Sequence, residues 1–193
     1  CWLCSRLLGM VIAILGVLVG AITWAIVSFN RFVAQRQVLE NSWANVETEL
    51  SRRHELIPAL VETVRGYATH ESDTLREVTE ARTGAAGVSG GPEAHRSVEN
   101  VLTAALRHLF AVSETYPELQ ASAAFLDLQH ELITTEDRLQ AARRLFNGNV
   151  REYNRRVESI PSIVIAKVAR FSKRSYFEAE PSVTEVPSAR KTD

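Results

Sequence analysis

Two stretches of the chain begin as metal-hydrolase helices do: His54-Glu55-Leu56-Ile57-Pro58 and His130-Glu131-Leu132-Ile133-Thr134. A zinc-binding H-E-x-x-H helix needs its second imidazole four residues after the first, so that both face one metal. Pro58 and Thr134 stand in those places, and the two histidines read as surface or seam-flanking groups. A di-metal carboxylate bundle would need paired Glu-x-x-His motifs with further inward glutamates, and Asp127-Leu128-Gln129-His130 is the nearest approach to one. Nucleophilic chemistry has as little to work with. The cysteines are Cys1 and Cys4, no G-x-S-x-G occurs, and the glycine-rich run 84–91 lacks the Gly-Lys-Ser/Thr of a phosphate loop. These residues specify no enzyme, no metal site and no cofactor.

Arg52-Arg53-His54 is a cluster of another kind, because Arg53 falls on the apolar seam of a helix. Alternate steps of four and three through residues 39–67 pick out Leu39, Trp43, Val46, Leu50, Arg53, Ile57, Leu60, Val64 and Tyr67. That is the pattern of a helix packed at coiled-coil-like angles. A guanidinium on such a seam is costly unless paired, which predicts a fork onto a carboxylate of another helix, with Glu131, Glu136 and Asp137 as candidates. The functional alternative is a polar pocket beside Pro58 that receives a partner. Pro58 removes a backbone donor within the same seam. It predicts either a restart, giving helices 29–55 and 58–86, or a kink, in which case the polar stretch 66–73 is the corner.

The elements that must position these groups are all helical. Residues 7–27 carry no charge and no proline, and at 1.5 Å per residue they are long enough for the ~30 Å of a bilayer core. They read as a transmembrane helix, preceded by a flank at 1–6, with Trp2 and Trp24 near its ends as aromatic anchors. Gly9, Ala13, Gly16 and Gly20 share one stripe, which could pair two such helices into a homo-oligomer or simply reflect the abundance of glycine in membrane helices. Arg6 before the span and Arg31 and Arg36 after it tilt weakly toward a cytoplasmic C-terminal body, and the side of the membrane stays open.

Beyond the seam, Thr74 and Glu77 have capping-box spacing, 83–92 reads as a loop and Pro92 suits a first helical turn. A third helix shows Val98, Leu102, Ala105, Leu109, Val112 and Tyr116 on one face and ends at Pro117. A last one over 121–160 shows Phe125, Leu128, Leu132, Leu139, Ala142, Phe146, Val150, Tyr153 and Val157. No segment alternates with period two, so the core is helix against helix. The fold expected is all-α: an N-terminal transmembrane helix followed by an elongated antiparallel up-and-down bundle of about four helices over 28–160, a short basic amphipathic segment at 161–177 and a flexible tail at 178–193.

The net charge of −1 conceals a basic stretch, with ten Lys or Arg between Arg138 and Arg174 against Glu152 and Glu158. For Arg143, Arg144, Arg155 and Arg156 a solvated helix face is the expected role. Lys167, Arg170, Lys173 and Arg174 could meet anionic headgroups, at ~1 kcal/mol per basic residue near the surface. No nucleic-acid module accompanies the charge, so no nucleic-acid partner is expected.

In motif and order the chain resembles the LemA family of bacterial membrane-anchored helical proteins. The likeness runs through Phe29-Asn30, Ser42-Trp43-Ala44-Asn45-Val46, the run from Arg52 to Tyr67, His70-Glu71 and Glu80-Ala81-Arg82. It continues in Tyr116-Pro117-Glu118-Leu119, Thr135-Glu136-Asp137-Arg138, Ala142-Arg143-Arg144, Phe146-Asn147, Tyr153-Asn154, Ile160-Pro161-Ser162 and Tyr176-Phe177-Glu178-Ala179. Phe29 and Phe146 stand where the family has Tyr, whereas Tyr153 keeps its hydroxyl. The resemblance implies a single-pass membrane protein with a helical bundle and brings no catalytic activity or cofactor. Trp43, Arg52, Arg53, His54, Pro58, Tyr153 and Asn154 are the candidate interaction or structural residues. The partners expected are the lipid bilayer and an unidentified membrane or membrane-proximal protein, which a scaffold would hold.

Overall fold

The computed structural model describes residues 2–177. The tail expected at 178–193, with Glu178 and Ala179, and Cys1 of the N-terminal flank lie outside the described residues, as does the side chain of Trp2. The chain is all-α, with no strand among the described residues. Its elements are α1 (Trp2–Tyr67), α2 (Ser72–Ala86), α3 (Pro92–Ser113), α4 (Pro117–Gln120), α5 (Ala123–Glu158) and α6 (Ser162–Val168).

Helix α1 runs through Pro58 without a restart. The reason is local. Pro58 has no N–H to give to the carbonyl four residues back, and that carbonyl, on His54, accepts instead from Arg82 Nε of α2 at 3.2 Å. The proline ring faces outward and is exposed. The turn after Tyr67 is the corner, and α2 begins at Ser72. The capping box expected from Thr74 and Glu77 does not form: the N-cap is Glu71, without a side-chain cap bond, and Thr74 is buried within the first turn. Helix α2 also extends into the expected loop, to Ala86, leaving 87–91 as the connector, after which Pro92 opens α3.

The chain divides into two compact units. The first joins α1 up to Ser42 with Gly148–Arg174. Its core gathers Phe32, Leu39, Val150, Tyr153 and Ala166, all buried. The Phe32 ring stacks on Phe171 at 4.8 Å and meets the edge of Tyr153 at 6.2 Å. Burial of a phenylalanine of this kind is worth about 2–3 kcal/mol. Within this unit the amphipathic helix expected over 161–177 is confined to Ser162–Val168. Arg170 takes a left-handed φ of 56°. The N–H of Phe171 then reaches Ala166 O at 2.8 Å and that of Arg170 reaches Lys167 O at 3.4 Å. That is a Schellman termination with arginine where glycine usually stands, and residues 171–177 continue without helix.

The second unit holds Trp43–Asn147 and the chain from Ser175. Its core joins Ile57, Leu60, Val61 and Val64 of α1 to Leu75 and Val78 of α2, Leu102, Leu106 and Leu109 of α3, and Phe125 and Leu132 of α5. From Val46 to Val64 the four-three seam of α1 is buried throughout, Arg53 included; Trp43 is half-buried and Tyr67 is exposed. Helix α3 buries Leu102, Ala105 and Leu109 of the expected face, with Val98 packed against the core, and its inward side extends beyond that face. Its buried positions His95, Glu99, Leu102, Leu106, Leu109 and Ser113 follow the same four-three rhythm, with polar residues at both ends.

Candidate functional site

The second unit carries a polar cluster in the middle of its helices. Arg53 comes to it on the buried seam of α1, and Glu99 on that of α3, 1% exposed. The two oxygens of Glu99 are divided: Oε2 lies 3.4 Å from Arg53 Nη1 and Oε1 lies 2.8 Å from His54 Nε2. Arg53 Nη2 donates to Thr103 Oγ1 at 2.9 Å, and Thr103 in turn donates to the Glu99 carbonyl at 2.8 Å. A second carboxylate, Glu136 of α5, stands 3.7 Å from Arg53 Nη1. Arg143, two turns further along α5 and also buried, carries a guanidinium whose pKa is lowered by burial; Glu136 acts against that lowering and Arg53 adds to it. A buried charge is tolerable when paired and hydrogen-bonded, and here the cations and carboxylates face one another.

Next to it in the same unit lies an aromatic box. The Trp43 ring is 5.5 Å from His95, 5.3 Å from Phe146 and 5.3 Å from Phe177, and its Nε1–H donates to Glu47 at 2.8 Å. Arg143 closes the box, with its guanidinium carbon 4.6 Å from the Phe177 centroid, a cation–π geometry. Asn147 fixes Phe177 from the backbone side: its amide donates to Phe177 O at 3.0 Å and its Oδ1 accepts from Phe177 N at 2.9 Å. Three buried polar atoms around the cluster and box, Arg143 Nε, Thr135 Oγ1 and His95 Nδ1, have no hydrogen-bond partner among the described residues.

In the first unit Asn154 does to Arg174 what Asn147 does to Phe177. Its amide donates to Arg174 O at 2.9 Å and its Oδ1 accepts from Arg174 N at 2.8 Å. Tyr153 beside it is 1% exposed, and burial raises its phenol pKa against the opposing pull of Arg174 and Arg36. Lys173 pairs with Glu158, whereas Lys167 and Arg170 are exposed.

The residues singled out from sequence therefore fall into several places. Arg53 and His54 belong to the polar cluster and Trp43 to the aromatic box, with Arg52 half-buried on α1 and Pro58 outside the core. Tyr153, Asn154 and Arg174 sit together in the first unit. Gly9, Ala13, Gly16 and Gly20 lie on an exposed face, and a Cβ at any of the three glycines would meet nothing within 4 Å. Glu99, Thr103, His95, Asn147 and Phe177 complete these contacts and were not singled out. For Glu99 the available signal was its i, i+3 spacing to Leu102, which places it one turn up the same face. Chemically the cluster is closed on itself. Each oxygen of Glu99 already has a cationic or imidazole neighbour.

Among known families, a model for the LemA family matches residues 42–190. The chain is 26% identical to magnetosome protein MamQ of Magnetospirillum gryphiswaldense over 190 residues, covering 86% of this chain and 70% of that protein. It is likewise 26% identical to magnetosome protein MamQ 2 of Paramagnetospirillum magneticum over 198 residues, covering 90% and 72%. Protein LemA of Metamycoplasma hominis is 22% identical over 153 residues, covering 78% of this chain and 68% of that one.

Proposed function

Because this chain belongs to the LemA family, a group of membrane-associated helical proteins, we propose that it serves as a non-catalytic scaffold or protein-interaction module at the bacterial membrane, anchored by a single pass over residues 7–27. The observation that carries this reading is the state of its most specific motif. The arginine, histidine and glutamate that would supply any acid–base or binding chemistry are buried and spent on one another, so the motif acts by fixing the bundle. What remains for recognition is the outer surface, where Val101, Leu126, Ile133 and Leu145 are exposed large apolar residues of the second unit. The partner is a membrane or membrane-proximal protein, and pairing through the Gly9 to Gly20 stripe would make the assembly a homo-oligomer.

Site-specific photocrosslinking in native membranes tests this. A crosslinker at position 126 or 133 of the full-length chain is expected to give a discrete heterologous adduct that survives dilution of the host lysate. Labelling that is diffuse at both positions and unchanged in a helix-unfolded variant would sink the scaffold reading. A second reading, a surface that responds to anionic lipid through Lys167, Arg170, Lys173 and Arg174, is supported at its first two members, where Val164 and Val168 are exposed beside the charges. At Lys173 the ion pair with Glu158 opposes it. Vesicle co-sedimentation with and without Lys167→Gln and Arg170→Gln separates the two readings.

A further inference from the structure

In the first unit, a groove of about 290 Å³ opens between α1 and α5. Arg31 of α1 and Arg155 and Arg156 of α5 line it, together with the hydroxyl-bearing Ser28 and Ser159. Its one carboxylate, Glu152, stands 3.8 Å from Arg155 Nη2. Arg31 and Arg156 have no ion-pair partner among the described residues, so the groove presents uncompensated positive charge.

Trp24 forms one wall. It belongs to the apolar run 7–27 and is 40% exposed. Trp24, Ser28 and Arg31 follow one another at i, i+4 and i+7, so they share a face of α1. Arg31 lies four residues past the end of the apolar run, ~6 Å along a helix, and the headgroup layer on each side of a bilayer is only about 5–7 Å deep. A groove on that face therefore sits at headgroup level when residues 7–27 cross the membrane. Pro161 and Ser162 also line it, and close to them in the chain Ile160 and Val164 are 88% and 56% exposed. Such apolar side chains next to a cationic groove suit the boundary between headgroups and acyl chains.

We infer that this groove is a headgroup site for an anionic phospholipid. The guanidiniums of Arg31, Arg155 and Arg156 take the phosphate, for which arginine's planar fork is suited. Ser28 donates its hydroxyl and Trp24 lies against the glycerol end, whereas the Ser159 hydroxyl is already given to Arg155 O at 2.6 Å. The site is stoichiometric and uses none of the Lys167 and Arg170 surface. It rests on residues 7–27 being the membrane anchor, which alkaline carbonate extraction of membranes tests separately: full release of the chain would remove the anchor itself.

The site is tested on full-length protein in neutral detergent, supplied with phosphatidylglycerol or phosphatidylcholine, with bound lipid counted by native mass spectrometry. Wild type should retain one phosphatidylglycerol under conditions that strip phosphatidylcholine. Combined Arg31→Gln, Arg155→Gln and Arg156→Gln should lower that retention roughly a hundredfold, and Lys167→Gln with Arg170→Gln should leave it unchanged. Arg31→Gln and Arg156→Gln alone remove no ion pair within the protein, so they should stay folded by circular dichroism and each lose several-fold. Equal retention of the two lipids would overturn the site, as would undiminished retention in folded single variants. Displacement of the lipid by millimolar inorganic phosphate would overturn it too, by making the ligand free phosphate.

Discussion

Glu99 ties two residues of α1 to α3, and its removal should be the costliest single polar change in the chain. Glu99→Ala would leave Arg53 and His54 facing each other in a buried site, at a cost of about 3–5 kcal/mol, read as a fall in the midpoint of chemical unfolding. Arg53→Ala should cost a similar amount, and Arg53→Leu combined with Glu99→Leu should recover part of it, because a buried pair replaced by apolar groups is often neutral while His54 still loses its Glu99 partner. A double variant as unstable as the singles would mean that the cluster supplies more than paired charge. At Tyr153 the sign of the pH dependence is fixed by burial, which raises the phenol pKa. The folded state then holds this proton more tightly than the unfolded one. Stability from this group is complete below the unfolded phenol value of ~10 and is lost as pH rises through the folded value. Tyr153→Phe should therefore flatten the alkaline decline of Tm and leave the neutral-pH slope alone. Arg53 was legible from sequence because a charge interrupts an apolar rhythm. Its partner Glu99 was not, because a template that scores only apolar residues discards the polar members of a buried face. His95 and Ser113 were missed on α3 for the same reason, as was Thr135 on α5, which fills the step between Leu132 and Leu139.

Among the elements, the seam of α1 was readable almost residue for residue, while the ends of helices were less so. The capping box at Thr74 failed because Thr74 is needed in the packed face of α2, so a local motif yielded to burial. The end of α6 could not be read from composition, since arginine gives no hint of a left-handed conformation. Arg170→Gly should relieve that conformation and raise stability by about 1 kcal/mol, seen as a higher Tm with unchanged helical signal. The paired asparagine clamps were visible only as letters, Phe146-Asn147 and Tyr153-Asn154. Their meaning depends on where an unstructured segment passes, which no periodicity reports. Asn154→Ala should remove both bonds to the backbone of residue 174 and cost about 1–2 kcal/mol. Faster amide exchange at residue 174, with the α5 core unaffected, would mark the loss as local.

For the molecule as a whole, the all-α class followed from the absence of any two-residue alternation and from the short connectors, and the apolar run at the start was plain from its lack of charge. What the chain binds was not legible, because recognition rests on exposed groups that obey no packing period. One bond described above bears on how the molecule is made. The carbonyl that Pro58 leaves open on His54 is filled by Arg82, a residue that leaves the ribosome 28 positions later. During vectorial synthesis this carbonyl has no donor from its own helix, and Arg82 can reach it only once α2 is made. Arg82→Ala should slow the burial of that turn in pulse-labelled hydrogen exchange, and Pro58→Ala, which restores the helix's own donor, should make Arg82 dispensable for it. The proline thus makes one backbone acceptor of the first helix depend on a donor from the second.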